Sequence, residues 1–184
     1  MFALDSLETD VQLMLMSSSI FAMTPRVTVG ISDLAVTNNS SVILSTYALG
    51  SCVGVIAYAH RLHTAGLLHA MLPSMSTNPN RKKTPLMFVD TGMPKMIKEL
   101  VGFGALKAQI KIALIGGASI NGGNDFFEIG SNNVIAVKAF CKTNHLKIAY
   151  EDSGGKVNRT VHFQMFDSQI HIKKPTQVDL VNFA

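Results

Sequence analysis

The chain has 184 residues, 47% hydrophobic and 15% charged, with a mean hydropathy of +0.27. That balance supplies one substantial core and excludes extended disorder, which needs more charge and fewer apolar residues. The net charge of +4 comes from scattered Lys and Arg with one cluster, Arg81, Lys82 and Lys83; no basic stripe with interleaved aromatics points to nucleic acid, and the cluster reads as a solvated loop.

Between residues 11 and 23 lies an apolar stretch that Ser17, Ser18 and Ser19 interrupt. It is shorter than a membrane span, and Asp5, Glu8 and Asp10 stand where a secretory signal carries Lys or Arg, so neither membrane insertion nor export is expected. Residues 1–24 read as an extension preceding a single domain over 25–184. Within that domain, β-branched and alternating apolar runs predict strands at 27–31, 42–49, 52–58, 66–72, 110–115, 147–150, 160–166 and 169–173. Helical spacing appears twice. In 94–101 it aligns Met96, Ile97, Leu100 and Val101, with Asp90 or Thr91 as cap and Pro94 in the first turn; in 132–143 it aligns Val134, Val137 and Cys141, with Ser131 as N-cap. Two helices on one face of mostly antiparallel sheets make an α+β sandwich of two or three layers the expected architecture.

Chemistry concentrates between Ser45 and Pro73, in STYALGSCVGVIAYAHRLHTAGLLHAMLP. Cys52 follows a Leu49-Gly50-Ser51 turn between two apolar strands, which presents its thiol at a strand mouth. Gly50 and Gly54 leave room for a substrate, and backbone N–H groups around Ser51 and Cys52 could form an oxyanion hole. A hairpin turn centred between Arg61 and Leu62 pairs His69 with Gly54. Because side chains alternate along a strand, Cys52 then shares a face with Gly54 and becomes a diagonal neighbour of His69, roughly 7–8 Å away at the backbone. A slip of one residue would separate them onto opposite faces. Thr46 is the candidate third member, its hydroxyl accepting from one imidazole nitrogen while the other faces Cys52.

Elsewhere the readings are plainer. Cys141 lies on an apolar helix face and reads as core. His60 and His63 have HxxH spacing but no evident third ligand, so they read as an exposed hairpin loop; His162 and His171 alternate with apolar residues on a solvent face. No CxxC or phosphate-cradle spacing occurs, and neither a metal nor an organic cofactor is expected. Cysteine usage makes a reducing compartment the default. Gly116, Gly117 and the 74–85 loop are candidates for shaping a shallow groove.

The pattern LGSCVGV, a short loop, then GLLHAMLP resembles the chemoreceptor glutamine deamidase family, CheD. Similarity continues through Phe88-Val89-Asp90, Ile115-Gly116-Gly117-Ala118, Ile129-Gly130 and Asp152-Ser153-Gly154-Gly155 to Arg159, covering about residues 26–175. The resemblance implies an α/β/β sandwich and a cytoplasmic cysteine hydrolase that converts glutamines on receptor helices to glutamate. It further implies association with a CheC-type phosphatase, and a catalytic set falling on Cys52, His69 and Thr46. Two positions depart from the family pattern: Ser131-Asn132-Asn133 stands where Arg commonly precedes Asn, and Ser168 stands where a hairpin glycine is usual. Two other classes compete with the hydrolase: a binding module that regulates a phosphatase or receptor without chemistry, and a redox-sensing thiol.

Overall fold

The computed structural model describes residues 23–77, 84–119 and 128–184. The expectations for residues 1–22, for the Arg81–Lys83 cluster and for much of the 74–85 loop lie outside the described residues.

Two five-stranded sheets stack face to face. The first has the order β1 (Arg26–Thr28), β3 (Ile43–Leu49), β8 (Arg159–Gln164), β9 (Gln169–Lys173), β10 (Val178–Asn182). The second runs β2 (Asp33–Thr37), β5 (Thr64–Ala70), β4 (Val53–Ala59), β6 (Lys111–Gly116), β7 (Lys147–Ser153). Among the described strands, β1–β3 and β6–β7 pair parallel and the others antiparallel. Helices α1 (Val89–Gly102) and α2 (Ile129–Thr143) cover the outer face of the second sheet, completing the α/β/β sandwich.

Strand periodicity divides the second sheet's side chains between two cores. On β4, Val53, Val55 and Ala57 face the helices, where Met93, Met96, Leu100, Val137 and Cys141 meet them. Ile56 and Tyr58 face the first sheet, among Leu44, Leu49, Val161, Phe163 and Ile172. Each fully buried large aliphatic or aromatic side chain contributes about 1.5–3 kcal/mol. Tyr58 carries its hydroxyl into this inter-sheet core and bonds the Ser168 hydroxyl at 2.8 Å. Ser168 adopts φ 59°, the left-handed conformation that favours glycine.

Helix α1 begins five residues before the expected Pro94. Its first N–H groups find partners in the chain leaving β5: Val89 N–H donates to the Leu72 carbonyl at 2.9 Å and Asp90 N–H to the Pro73 carbonyl at 3.2 Å. Asp90 is therefore not the cap; its carboxylate accepts from the Ser74 hydroxyl and the Met75 N–H instead. Pro94 falls in the second turn, where it forfeits one helix bond. Similarly, α2 starts at Ile129, with Glu128 in the capping position at φ 43°, while the Ser131 hydroxyl donates back to the Glu128 carbonyl within the first turn. Strands β2 and β10 were not expected. Both are edge strands with half-exposed side chains, so neither carries the strong apolar signature of an internal strand. The expected strand at 27–31 ends at Thr28, because the chain turns through Ser32 at φ 60°.

Candidate active site

The turn Gly50-Ser51-Cys52 links strands belonging to different sheets, β3 in the first and β4 in the second. A bulge in β3 between Thr46 and Leu49, with Ala48 at φ 55°, re-aims Leu49 into the inter-sheet core. There Leu49 occupies the space that a side chain at Gly54 would need: a Cβ built on Gly54 would lie 2.7 Å from Leu49 Cδ1.

Hydrogen bonds to its three carbonyls fasten the turn from two elements. Ala118 N–H donates to the Gly50 carbonyl and Gly117 N–H to the Cys52 carbonyl, both at 2.8 Å. From α2, the Asn133 amide donates to the Ser51 carbonyl at 2.9 Å and to the Met71 carbonyl at 2.8 Å. Gly116 lies directly beneath, at φ 102°, where a Cβ would come within 2.4 Å of the Cys52 carbonyl oxygen.

The β4–β5 hairpin has the register expected from its turn, with Gly54 opposite His69 and Val53 opposite Ala70. Cys52 stands one residue ahead of β4 and packs against the inter-sheet core. His69 turns to the same face, 1% exposed, and its Nδ1 lies 2.8 Å from Thr46 Oγ1. Thr46 comes from the facing sheet, so His69 on one sheet meets a partner reaching across from the other. The Thr46 hydroxyl also lies 2.9 Å from the Val29 carbonyl. That carbonyl can only accept, which commits the single hydroxyl proton to it; Thr46 Oγ1 must then accept from His69 Nδ1–H. The imidazole tautomer follows: Nε2 carries the lone pair, and it has no partner among the described residues.

Burial pushes the His69 pKa below its ordinary 6.5, so the ring is neutral at physiological pH. Burial also pushes the Cys52 thiol above its ordinary 9.0, opposed by its own backbone N–H, which faces the sulfur. At rest the thiol is protonated and the imidazole neutral, and among the described residues no hydrogen bond joins His69 Nε2 to the Cys52 sulfur. Cys52 is half-buried; Cys141, by contrast, is fully buried in the helix-side core, where desolvation lifts it to about 11.

Gly117 borders a cavity of about 320 Å³, shared with Ser119, Glu128, Gly130, Ser131, Gly154 and Gly155. Gly116 does not line it, and serves instead to let the Cys52 backbone pass. Close approach also explains Gly130, whose Cβ would sit 2.6 Å from the Gly117 carbonyl oxygen. Next to the cavity, Arg159 clamps the β7–β8 turn, donating to Asp152 at 2.8 Å and to the Gly154 carbonyl at 2.8 Å. His60 and His63 are exposed in the hairpin turn, and no cluster of three potential metal ligands exists among the described residues. His162 and His171 lie on the outer face of the first sheet, partly buried rather than open to solvent, with His162 bonded to the Ser45 hydroxyl. Asn133 entered the sequence reading only as part of the Ser131-Asn132-Asn133 segment, with no role at the site. It could have been found as a lone amide in register with Val137 and Cys141, on the face α2 buries.

Comparison with known proteins gives the family of the chain. The family described as CheD chemotactic sensory transduction matches residues 71–174, more than half of the chain. A protein of Syntrophus aciditrophicus, named "Probable chemoreceptor glutamine deamidase CheD 1", is 40% identical over 148 residues, which are 80% of this chain and 92% of that one. "Probable chemoreceptor glutamine deamidase CheD" of Pyrococcus abyssi is 36% identical over 83% of this chain and 93% of its own length. One of the same name from Caldanaerobacter subterraneus subsp. tengcongensis is 38% identical over 79% and 90%. Identity at this level across nearly the full length of several relatives places the chain in the CheD family.

Proposed function

We propose that the chain is a protein-glutamine deamidase, a cysteine amidohydrolase that turns selected glutamine side chains of chemoreceptors into glutamate. One observation carries the mechanism: Thr46 holds His69 in the tautomer that leaves Nε2 as a buried lone pair without a partner among the described residues. The names of the relatives supply the substrate class.

In the first step, His69 Nε2 takes the Cys52 proton as the sulfur attacks the amide carbon, and the carbonyl electrons move to oxygen. Backbone N–H groups of the Gly50-Ser51-Cys52 turn receive that oxyanion, each well-placed donor worth on the order of 3 kcal/mol. Collapse breaks the carbon–nitrogen bond, and the Nε2 proton leaves with ammonia. Water then gives a proton to Nε2 and adds to the thioester; its collapse releases glutamate and returns the proton to the sulfur. Water is consumed and ammonia produced, and neither metal nor organic cofactor enters the balance.

The substrate is a helix surface, so the groove beside Gly117 is its entry side, with Gly116 setting the height of the Cys52 backbone. Chemoreceptor glutamines as substrate imply work in the cytoplasm, where receptor helices and a CheC-type phosphatase partner are accessible, with 25–184 as the catalytic domain.

The test incubates purified protein with receptor cytoplasmic fragments and follows glutamines by mass spectrometry. Deamidation adds about one dalton per site, a shift set by replacing NH2 with OH, and Cys52→Ala should abolish it. Deamidation that persists in Cys52→Ala would refute the cysteine mechanism. Absence of any shift in the parent, with fragment or phosphatase binding retained, would favour a binding module; an oxidisable thiol without ammonia release would favour a redox sensor.

A further inference from the structure

Asn133 is fully buried on the apolar face of α2, yet it spends its two amide hydrogens on backbone carbonyls of other elements. The orientation of the amide is chemically forced: two carbonyl acceptors at 2.9 and 2.8 Å require Nδ2, since Oδ1 would meet both with like charge. This leaves Oδ1 buried without a donor among the described residues. A hydrophobe here would pack against the same core as Val137 and Cys141 without that defect, so packing alone does not account for the amide.

Its two acceptors are telling. Ser51 immediately precedes Cys52, and Met71 lies two residues beyond His69. The Ser51–Cys52 peptide bond is trans, so its carbonyl and its N–H point in opposite directions. Holding the Ser51 carbonyl toward α2 therefore turns the Cys52 N–H away from the helix, to the side where the sulfur lies. The peptide following Cys52 is held independently, by Gly117 N–H on the Cys52 carbonyl. With both flanking planes fixed, the Cys52 N–H has no freedom to swing. Among the described residues no other acceptor takes it, which leaves it available to a developing oxyanion.

We propose that Asn133 is a positioning residue for the hydrolysis: by anchoring the Ser51 carbonyl, it aims the Cys52 N–H at the oxygen of the substrate amide. This rests on the cysteine-hydrolase reading above, and it adds a donor-orienting device outside the Cys52, His69 and Thr46 set.

Two reactions of the same sulfur separate the role from a general structural one. Deamidation builds negative charge on oxygen and needs the donor. Alkylation by iodoacetamide is a displacement at carbon with no oxyanion, and it reports only the access and ionisation of the thiol. Asn133→Ala removes both donated bonds, and Asn133→Asp keeps the shape while replacing the donor with an acceptor. In folded protein, each should lower kcat for receptor-fragment deamidation by about 10–100-fold, with KM within about threefold and the Cys52 alkylation rate within about twofold of the parent. Equal falls in alkylation and deamidation would mean that Cys52 itself has been displaced, and would overturn the proposal. Unchanged kcat, or failure of both variants to fold, would overturn it too, the latter marking Asn133 as a structural tie. If the parent alkylates normally but never deamidates, the hydrolase reading fails first and takes this inference with it.

Discussion

At the scale of single residues, the contact between Thr46 and His69 fixes what the imidazole can do. A threonine is a weaker orienting group than a carboxylate because it brings no negative charge to stabilise the imidazolium. It costs nothing in charge burial, however, and in an inter-sheet core a carboxylate would have to be desolvated. The hydroxyl works because its proton is already committed to the Val29 carbonyl. Thr46→Val, which matches the shape, should therefore strand both the Val29 carbonyl and the Nδ1–H. We expect kcat to fall by about 10–100-fold and stability by about 1–3 kcal/mol, while Thr46→Ser retains kcat within about threefold. Kinetics of receptor-fragment deamidation with parallel denaturant melts would check this, and a fully active Thr46→Val would remove the threonine from the mechanism. Thr46 was legible in the sequence as a hydroxyl near His69. Its location in the opposite sheet was not, because the bulge at Ala48 and the crossing at Gly50–Cys52 leave no periodic signature.

At the scale of elements, the β4–β5 hairpin was readable because both strands are continuous apolar runs, and the short turn between them leaves few registers. The β6–α2 connection was not. Gly117 and Ala118 at its start act through their backbone N–H groups, and a glycine in sequence does not say what approaches it. Gly116 makes the point measurable. At φ 102°, with the Cys52 carbonyl oxygen 2.4 Å from the position of a Cβ, an added methyl group meets backbone that also forms the nucleophile turn. Gly116→Ala should destabilise the fold by about 1–3 kcal/mol and reduce deamidation beyond what the lost stability explains, because Cys52 must shift. Gly30→Ala, where nothing lies within 4 Å, should change neither. Comparable behaviour of the two variants, in thermal melts and turnover, would dismiss the crowding argument.

For the molecule as a whole, two amphipathic helices and a surplus of apolar strands implied an α+β sandwich of two or three layers, and the family resemblance implied the α/β/β order. Strand order did not follow from the sequence, since pairing between β3 and β8, more than a hundred residues apart, leaves no local trace. Burial of polar groups between and upon those sheets has a global consequence for pH. His69, His162 and His171 all have folded pKa values below 6.5; burial is the leading cause in each, and His162, also facing Arg26, His171 and Lys173, is lowered to about 4. Between the folded and unfolded values the unfolded chain binds more protons, so stability rises with pH there. The histidine contribution is thus complete above pH 6.5 and is lost as pH falls toward 4. Asp152 acts in the same direction at lower pH: burial works to raise it, but hydrogen bonds from Arg159 and Lys174 overcome that and hold it below its ordinary value. Tm should therefore be highest on the neutral side and fall steadily from pH 7 to pH 4.5, each kcal/mol lost lowering it by about 2–4 °C in a chain of this size. Calorimetry across that range would measure the decline. His162→Asn, which keeps an amide near the Ser45 hydroxyl but cannot titrate, should flatten the slope between pH 6.5 and 4.5. A parent Tm that stays level over the same interval would mean that these histidines accept protons in the folded state as readily as in the unfolded one, contrary to their burial between and upon the sheets.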